Sequence, residues 1–373
     1  MKKPSYVLVL FVSLALCACE NQWMADLLQV KKITFESNGG SHVSSQKIMK
    51  GERVSEPKPP VFSGRSFEGW YTDNYTFMDL WNFNKSPDND MTLYASWHGG
   101  QTPVAEDFFI DAAGTFLYDE EPKEVKVLSG EGKTAGKITV FYQLLLSGET
   151  YGKKKDTHPS APGTYRVTFN VDASGDWNVA GELEAGTLVI YLNSAYGLDM
   201  FLTNFSPSYI NNDPGINPSS PYIIPIRINN DTDLSDIAST LNEYNIYVTF
   251  DLSGSNIERI PNSAFFECSY LVGINIPNNV TVIGKEAFSL CINLADITIP
   301  SGVTTIENNA FYYCLALIRV TFQGTITSSY LSENAFGNPA SQFGYIGDLR
   351  GKYLNGGPGT YTRESNGNTW TKR

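Results

Sequence analysis

Apolar residues recur at a fixed interval of 23 positions in the C-terminal third of the chain. A period of about 20 to 29 residues, with a short alternating strand in each unit, is typical of a stacked solenoid. The pattern therefore predicts a solenoid in which the apolar side chains of successive turns pack against one another. The recurring residues form eight columns: Ile260, Ile283 and Ile306; Ala264, Ala287 and Ala310; Phe265, Phe288 and Phe311; Cys268, Cys291 and Cys314; Leu271, Leu294 and Leu317; Ile274, Ile297 and Val320; Ile276, Ile299 and Phe322; Val280, Val303 and Ile326.

The first two units contain a segment Leu-x-x-Ile-x-Ile, and the third contains Leu-x-x-Val-x-Phe in the same place; each predicts one strand. Ile274 and Ile276 point inward in such a strand, and Pro277 ends it because proline has no backbone donor. Side chains alternate along a strand, so the positions between the isoleucines point outward. These outward positions form a candidate partner-binding face, whose members are Asn275, Asp296, Thr298, Arg319 and Thr321. The alternative is that these polar side chains are merely solvated.

The segments flanking the repeats predict caps. Upstream, residues 231–244 place Leu234, Ile237, Leu241 and Tyr244 on one helical face, with Asp233 as the expected N-cap. This helix and the strand that follows it would shield the apolar edge of the first repeat. Downstream, the last unit is irregular and residues 346–373 form a capping tail.

The repeats, written Ile-x-x-x-Ala-Phe-x-x-Cys-x-x-Leu-x-x-Ile-x-Ile-Pro, resemble the BspA-like leucine-rich repeat family of bacterial surface proteins. The resemblance covers about residues 246–336, and with the caps it defines a predicted domain over 229–345. It implies a short right-handed leucine-rich-repeat solenoid. It also implies attachment to the cell envelope and, for some members, adhesion to host proteins or other bacteria, without naming a ligand.

Residues 33–97 open on ITFESNGG, continue through FEGWY and close on LYASW. These motifs resemble the internalin-type B repeat, or Listeria-Bacteroides repeat, which implies a ubiquitin-like β-grasp module that acts as an extracellular spacer or contact domain. Asn38-Gly39-Gly40 predicts positive φ angles in a tight hairpin. The family has an aromatic residue where this chain has Arg65. The expected small core consists of Phe67, Trp70, Leu93, Tyr94 and Trp97.

Between these two regions, residues 104–192 predict a second β-rich module. The segments KITVFYQ, TYRVTFNVDAS and AGTLVIY alternate like strands and are separated by turn residues. Alternation over Tyr165–Val171 predicts one buried face. The segments Pro-Gly-Thr-Tyr-x-Val-x-Phe and Gly-Thr-Leu-x-Ile resemble immunoglobulin-like repeats of bacterial surface proteins, which implies a β-sandwich. Residues 193–228 lack a period and predict a linker.

The pattern of the N-terminal residues predicts a secretion signal. Lys2-Lys3 precedes an apolar run from Tyr6 to Leu16, which predicts a signal peptide over residues 1–18. Leu16-Cys17-Ala18-Cys19 resembles the bacterial lipobox and assigns Cys19 as the lipidated residue, followed by a tether over 19–32. Cys17 fits worse because Leu16 would take the small-residue position. The alternative is an ordinary cleaved signal. A lipid anchor would hold the protein on the outer surface of the bacterial cell envelope.

Composition places the chain in the mainly β, multidomain class. It has 373 residues, 42% of them apolar, and a net charge of −12. Tyr and Phe are abundant and helical periodicity is scarce. An acidic chain does not suit a phosphate backbone, because nucleic-acid binding depends on Lys and Arg. Nucleic acid is therefore not an expected partner, whereas a host or bacterial surface protein is.

Three cysteines fall in the repeats: Cys268, Cys291 and Cys314. Stacked units lie about 4.8 Å apart, so a disulfide between neighbours or a three-thiol metal site is conceivable. Their position between Phe and Leu columns favours packing as small apolar side chains.

The sequence offers no catalytic, cofactor or metal site. The only histidines, His42, His98 and His158, lie in turns outside the repeats, where a general base is not expected. Gly130–Thr134 reads GEGKT but lacks the earlier Gly of a phosphate loop. Residues 229–236 are acidic but lack the Gly and Glu of a calcium loop.

These observations favour an anchored binding or adhesion protein that recognises a partner through the repeat face. A structural spacer or envelope-organising protein is the first alternative, and a hydrolase with an unfamiliar site is the less favoured one.

Overall fold

The computed structural model describes residues 30–111, 114–130, 136–147, 150–174, 177–205, 217–337, 347–365 and 367–373. The predicted signal peptide, Cys19 and most of the tether lie outside these residues, as does most of GEGKT. Within the described part the chain is mainly β, with three α-helices: α1 (Ala195–Asn204), α2 (Asp233–Asn242) and α3 (Leu349–Gly356).

The strands make five sheets, with orders β2-β1-β4-β3, β6-β11-β10-β8-β9, β12-β13-β15-β17-β19-β20-β21, β14-β16-β18 and β5-β7. Their bounds are β1 (Val30–Glu36), β2 (Gln46–Met49), β3 (Ser66–Tyr71), β4 (Met91–His98), β5 (Phe108–Asp111), β6 (Thr115–Leu117), β7 (Lys126–Ser129), β8 (Ile138–Ser147), β9 (Thr150–Tyr151), β10 (Gly163–Val171), β11 (Ala180–Tyr191), β12 (Tyr222–Pro225), β13 (Val248–Asp251), β14 (Arg259–Ile260), β15 (Leu271–Asn275), β16 (Val282–Ile283), β17 (Asp296–Ile299), β18 (Thr305–Ile306), β19 (Arg319–Phe322), β20 (Gly359–Thr362) and β21 (Thr371–Lys372).

The chain divides into two compact units. The first comprises residues 1–109, 127–139 and 169–183, and the second comprises residues 110–126, 140–168 and 184–373. The segment 104–192, predicted as one module, therefore contributes residues to both units.

The four-stranded sheet of the first unit has a parallel central pair, β1 with β4, flanked by antiparallel neighbours. Trp70, Leu93 and Trp97 are buried as predicted, and Phe67 packs against them half-buried. Tyr94 is the exception, because it alternates with buried Leu93 and Ala95 and so points to the opposite face of β4.

The Asn38-Gly39-Gly40 turn has the expected positive φ at Asn38 (48°) and Gly39 (88°). It is not a tight two-residue hairpin, since β1 ends at Glu36 and β2 begins at Gln46. Gly40 serves a second purpose. A Cβ there would lie 2.4 Å from the Trp97 ring, so only glycine lets the ring close over the turn. The Trp97 indole then donates to the Ser37 carbonyl at 2.9 Å.

Arg65, the departure from the family pattern, has its own contacts within the first unit. Its guanidinium lies 4.3 Å from the centre of the Phe62 ring. Its Nη1 donates to Asn178 Oδ1 at 2.6 Å. The planar guanidinium of Arg65 therefore still packs against an aromatic ring, and it also makes a polar contact that an aromatic residue could not make.

The three strands predicted in 104–192 are present as β8, β10 and β11. The expectation that β10 buries a single face is only partly met, because Thr168 and Asn170 are buried along with Val167, Phe169 and Val171. β11 and β8 pair with the two edges of the strand, and the burial of Thr168 and Asn170 shows that its second face is covered as well. Asn170 is satisfied there, since its Oδ1 accepts the Glu182 backbone N–H at 3.0 Å.

The predicted linker over 193–228 is wrong for much of its length. It contains α1, whose N-cap Ser194 accepts the Gly197 N–H, and β12, which pairs in parallel with β13. Leu198, Ile224 and Ile226 are fully buried in the core of the second unit. The pattern was missed because α1 is only 10 residues long and β12 only 4, too short to show a period.

The strands of the 23-residue repeats form two parallel sheets on opposite sides of the solenoid. β13, β15, β17 and β19 form one side, and β14, β16 and β18 form the other. All members of the eight predicted columns are buried, none more than 8% exposed. The predicted inward orientation of these apolar residues is therefore confirmed.

Phenylalanine rings stack along the axis of the solenoid. Phe265, Phe288, Phe311 and Phe336 lie with successive centroids 5.3, 5.3 and 5.4 Å apart and planes within 11° of parallel. Phe336 joins the stack although its unit is irregular in length. The chain also turns through left-handed backbone at two positions per unit, in columns formed by Ser263, Glu286 and Asn309 and by Glu267, Leu290 and Tyr313. No glycine marks these turns, so the sequence pattern did not reveal them.

Helix α2 buries Leu234, Ile237 and Leu241, as its periodicity predicts, and Tyr244 packs half-buried just beyond its end. The predicted cap residue is wrong by one position. Thr232 occupies the N-cap without a side-chain hydrogen bond, and Asp233 is the first helical residue, where its charge favours the helix dipole.

The C-terminal tail adds α3, β20 and β21 to the end of the repeat sheet. β20 pairs antiparallel with β19, which ends the parallel series. Tyr353, Tyr361 and Trp370 are buried at this end. The apolar surface of the last repeat is thus covered by the tail.

Candidate recognition face of the repeat sheet

The strand register brings the five predicted face residues onto adjacent rungs of one sheet. Asp296 pairs with Arg319, Thr298 with Thr321, and Asn275 with Thr298. Asn275 and Arg319 are exposed, and the other three are half-buried. Because strands in a sheet lie about 4.8 Å apart, the side chains form continuous rows across the solenoid.

The rows are longer than predicted. The first, here called the Asp296 row, consists of Thr249, Gly273, Asp296, Arg319 and Thr362; the second, the Thr298 row, consists of Asp251, Asn275, Thr298, Thr321 and Thr360. Residues of β13 could have been found by aligning Val248–Asp251 with the repeat strands. Those of β20 could not, because that strand runs antiparallel and lies outside the period.

Polar contacts link neighbours along each row. Arg319 Nη1 lies 2.6 Å from Asp296 Oδ2, with both side chains about half exposed. Thr321 and Thr360 share a hydroxyl hydrogen bond of 3.0 Å. Burial raises the pKa of Asp296, and the Arg319 guanidinium opposes that rise. An exposed pair of this kind contributes little to stability.

The face presents amide, hydroxyl, carboxylate and guanidinium groups on adjacent strands of one sheet. The three histidines lie elsewhere: His42 is exposed, His98 lies 3.5 Å from Glu68, and the His158 ring packs edge-on to Tyr142. In the described ranges, no three His, Cys, Asp or Glu residues are grouped so that they could hold a metal ion.

The three repeat cysteines are free and fully buried in the solenoid core. Cys291 and Cys314 each donate to the carbonyl of a phenylalanine one turn earlier, Phe265 and Phe288, at 3.0 Å. Each thiol thus packs as a small apolar group with one polar contact, as their position between apolar columns indicates. The sequence pattern showed the column but not these hydrogen bonds.

Burial sets the acid–base behaviour of these thiols. It raises the pKa of Cys268 to about 12, and it also raises the pKa of Cys291 and of Cys314. In the unfolded chain a thiol ionises near 8.5. The thiols of the folded protein therefore stay protonated to a higher pH than those of the unfolded chain. The resulting stabilisation is complete below about pH 8.5 and is lost as the pH rises toward the folded pKa.

We expect the repeat thiols to be unreactive in the folded protein. In a background with Cys17 and Cys19 changed to serine, a chromogenic disulfide reagent at pH 8 should label none of the three until urea unfolds the chain. Adding Ser253→Cys, at an exposed position, provides the control, because that thiol should react at once. Rapid labelling of the native repeats would contradict their placement in the core.

The fold and this face define a class: a multidomain β protein with a leucine-rich-repeat solenoid. Residues 242–344 match the family model described as "BspA type Leucine rich repeat region (6 copies)". Residues 32–96 match the model described as "Listeria-Bacteroides repeat domain". These two regions of the chain are therefore similar to the BspA-type leucine-rich repeat and to the Listeria-Bacteroides repeat, as their motifs predicted.

Two relatives from Evansella cellulosilytica share a shorter stretch. One, named "Putative Gly-rich membrane protein", is 46% identical over 66 residues, which is 17% of this chain and 8% of the relative. The other, named "Putative membrane protein", is 44% identical over 79 residues, which is 21% of this chain and 12% of the relative. The chain thus spans only a small part of the length of these relatives.

Within the described residues, no helix combines the length and the apolar character that a membrane crossing requires.

Proposed function

We propose that this chain is a bacterial cell-surface binding protein that recognises a protein partner through the Asp296 and Thr298 rows. One observation carries the proposal: the register aligns the five predicted outward residues into continuous polar rows on one sheet. Repeat proteins commonly bind through such extended surfaces. Both matched families are families of surface repeats, and the relatives' names place those proteins at a membrane.

The proposal also assigns roles to the other modules of the chain. The parallel central pair in the order β2-β1-β4-β3 supports a β-grasp module that acts as a spacer. The sheets formed within 104–192 support an immunoglobulin-like sandwich. Helix α2, with its buried face, supports an N-terminal cap.

Attachment to the envelope through a lipid on Cys19 is part of the same proposal. Radiolabelled palmitate should be incorporated into the chain and should be lost in a Cys19→Ser variant. Protease treatment of intact cells would then report whether the repeats face outward.

Removing the charged pair of the Asp296 row should weaken adhesion. Beads coated with the chain are tested against a panel of host extracellular-matrix proteins. In the double variant Asp296→Ala, Arg319→Ala, binding should fall about tenfold if the pair lies in the centre of the contact.

The control removes a different exposed pair. Arg166 on β10 contacts Glu184 on β11, and the variant Arg166→Ala, Glu184→Ala leaves the net charge unchanged in the same way. Equal loss in both variants, or unchanged binding in the first, would overturn the role of this face. Failure of every panel protein to bind a correctly folded chain would favour the structural spacer.

A further inference from the structure

Positive charge is concentrated at one end of the repeat sheet, although the chain as a whole carries a net charge of −12. A groove of about 690 Å³ lies there, lined by Arg319, Arg363 and Arg373 together with Ile318, Thr362 and Glu364. We call it the arginine groove. All its walls come from the second unit, from β19 and the tail.

Two of the three guanidinium groups flank one hydroxyl. Thr362 lies opposite Arg319 in the register of β19 and β20. Arg373 Nε donates to Thr362 Oγ1 at 2.9 Å, and its backbone N–H donates to the Thr360 carbonyl. Arg373 is exposed, and among the described residues its guanidinium makes a hydrogen bond only through Nε, to Thr362. A carboxylate in the groove could therefore bind Arg373 in the two-pronged manner that guanidinium allows.

Arg363 supplies positive charge to the floor of the groove, and each of its three side-chain nitrogens already donates to a backbone carbonyl. It is buried and donates to the carbonyls of Leu317, Leu315 and Gly367 at 2.6 to 2.8 Å. Its positive charge is uncompensated by a carboxylate in these contacts. The groove thus combines two outer guanidinium groups with a fixed inner charge.

Two acidic side chains reduce the positive electrostatic potential of the arginine groove. Asp296 pairs with Arg319, and Glu364 is exposed at the rim. Counted over side chains, the three arginines exceed these two acids by one positive charge, in a molecule that is acidic as a whole. An anionic ligand is therefore attracted locally, while the bulk of the chain repels it.

An apolar strip leads away from the groove. Ile318 lines the groove and is 37% exposed, and Leu315 and Ile292 are 44% and 41% exposed. The Ala316 N–H donates to the Ile292 carbonyl, so these residues lie on neighbouring turns of the solenoid. Apolar side chains beside a cationic groove suit a polypeptide with acidic and apolar residues better than they suit a polysaccharide.

We propose that the arginine groove binds an acidic segment of a polypeptide partner, with carboxylates on Arg319 and Arg373 and apolar side chains along Ile318, Leu315 and Ile292. The proposal rests on the proposed function and adds the chemistry of the partner. It extends the Asp296 row at Thr362 into a site that the repeat pattern did not predict.

The test uses a fluorescein-labelled short peptide of alternating Glu and Leu, followed by fluorescence anisotropy with the full chain. Saturable binding that weakens as salt is added is expected, and the same peptide with Gln in place of Glu should not bind. Arg373→Gln should weaken binding about tenfold, and Glu364→Gln should tighten it because a competing carboxylate is removed. Ile318→Ser should also weaken binding.

Arg53→Gln is the matched control, since Arg53 is exposed in the first unit and the change in net charge is identical. Equal weakening by Arg53→Gln and Arg373→Gln would assign binding to bulk charge and overturn the groove. Binding of heparin but not of the peptide, lost with Arg373→Gln, would overturn the polypeptide assignment.

The outcomes for the groove and the face can be separated because the peptide assay needs no natural partner. Adhesion lost in Asp296→Ala, Arg319→Ala with peptide binding insensitive to Arg373→Gln would overturn the groove alone. Peptide binding that depends on Arg373, with adhesion unchanged in the double variant, would overturn the face alone.

Discussion

Phe288→Ala should lower the free energy of unfolding by about 3 to 5 kcal/mol. Phe288 is fully buried in the middle repeat, with rings 5.3 Å away on both sides, Phe265 and Phe311. Truncation removes both stacking contacts and leaves a cavity that neighbouring turns cannot fill without shifting. Domains are stable by only about 5 to 15 kcal/mol, so the change could unfold the solenoid at moderate temperature. Urea denaturation followed by circular dichroism measures the loss.

The same repeat array provides a matched control for this truncation. Phe266 is the next residue after Phe265 in the chain but is 41% exposed. Phe266→Ala removes the same atoms from the surface and should cost less than about 1 kcal/mol. If the two truncations had equal effects, burial of the phenylalanine column would not be what holds the repeats together.

Arg363→Ala should cost about 3 kcal/mol or more and release the C-terminal tail. The guanidinium satisfies three carbonyls, those of Leu315 and Leu317 in the last repeat and of Gly367 in the tail. It also lies 5.5 Å from the centre of the buried Trp370 ring. Without it, carbonyls in a covered site lose a charged donor, and each such loss costs roughly 1 to 3 kcal/mol. Hydrogen exchange should accelerate across β19, β20 and α3.

Arg373→Gln serves as the comparison for Arg363→Ala. Arg373 is exposed, and its side chain makes a single hydrogen bond, to Thr362. Its replacement should change the unfolding free energy by no more than about 0.5 kcal/mol, which also keeps it usable in the peptide assay. Unchanged exchange in the tail of Arg363→Ala would show that the tail is held by its apolar residues instead.

The repeats were predictable because their register is local. A period of 23 residues places equivalent residues one rung apart, so the alignment of Asp296 with Arg319 and of Thr298 with Thr321 could be inferred before any coordinates. Alternation along each short strand then decides which side chains point outward. The motifs of the Listeria-Bacteroides repeat were equally specific, although Tyr94 shows that an aromatic residue in a motif need not face the core.

Other features depend on contacts that are distant in the chain. Helix α1 and β12 were read as a linker because neither is long enough to show a period, yet each is buried against α2 or β13. The antiparallel pairing of β20 with β19 joins Thr362 to Arg319 across a tail that has no repeat. No sequence pattern predicts that pairing.

The sequence alone determined the stacked units, their buried columns and the polar rows between them, since each of these follows from a short period and the geometry of a strand. Only the tertiary structure decided how the ends of the solenoid are covered and which arginines lie together there. Arg319, Arg363 and Arg373 come together through the folding of the tail onto the last repeat, and such long-range packing leaves no regular spacing along the chain.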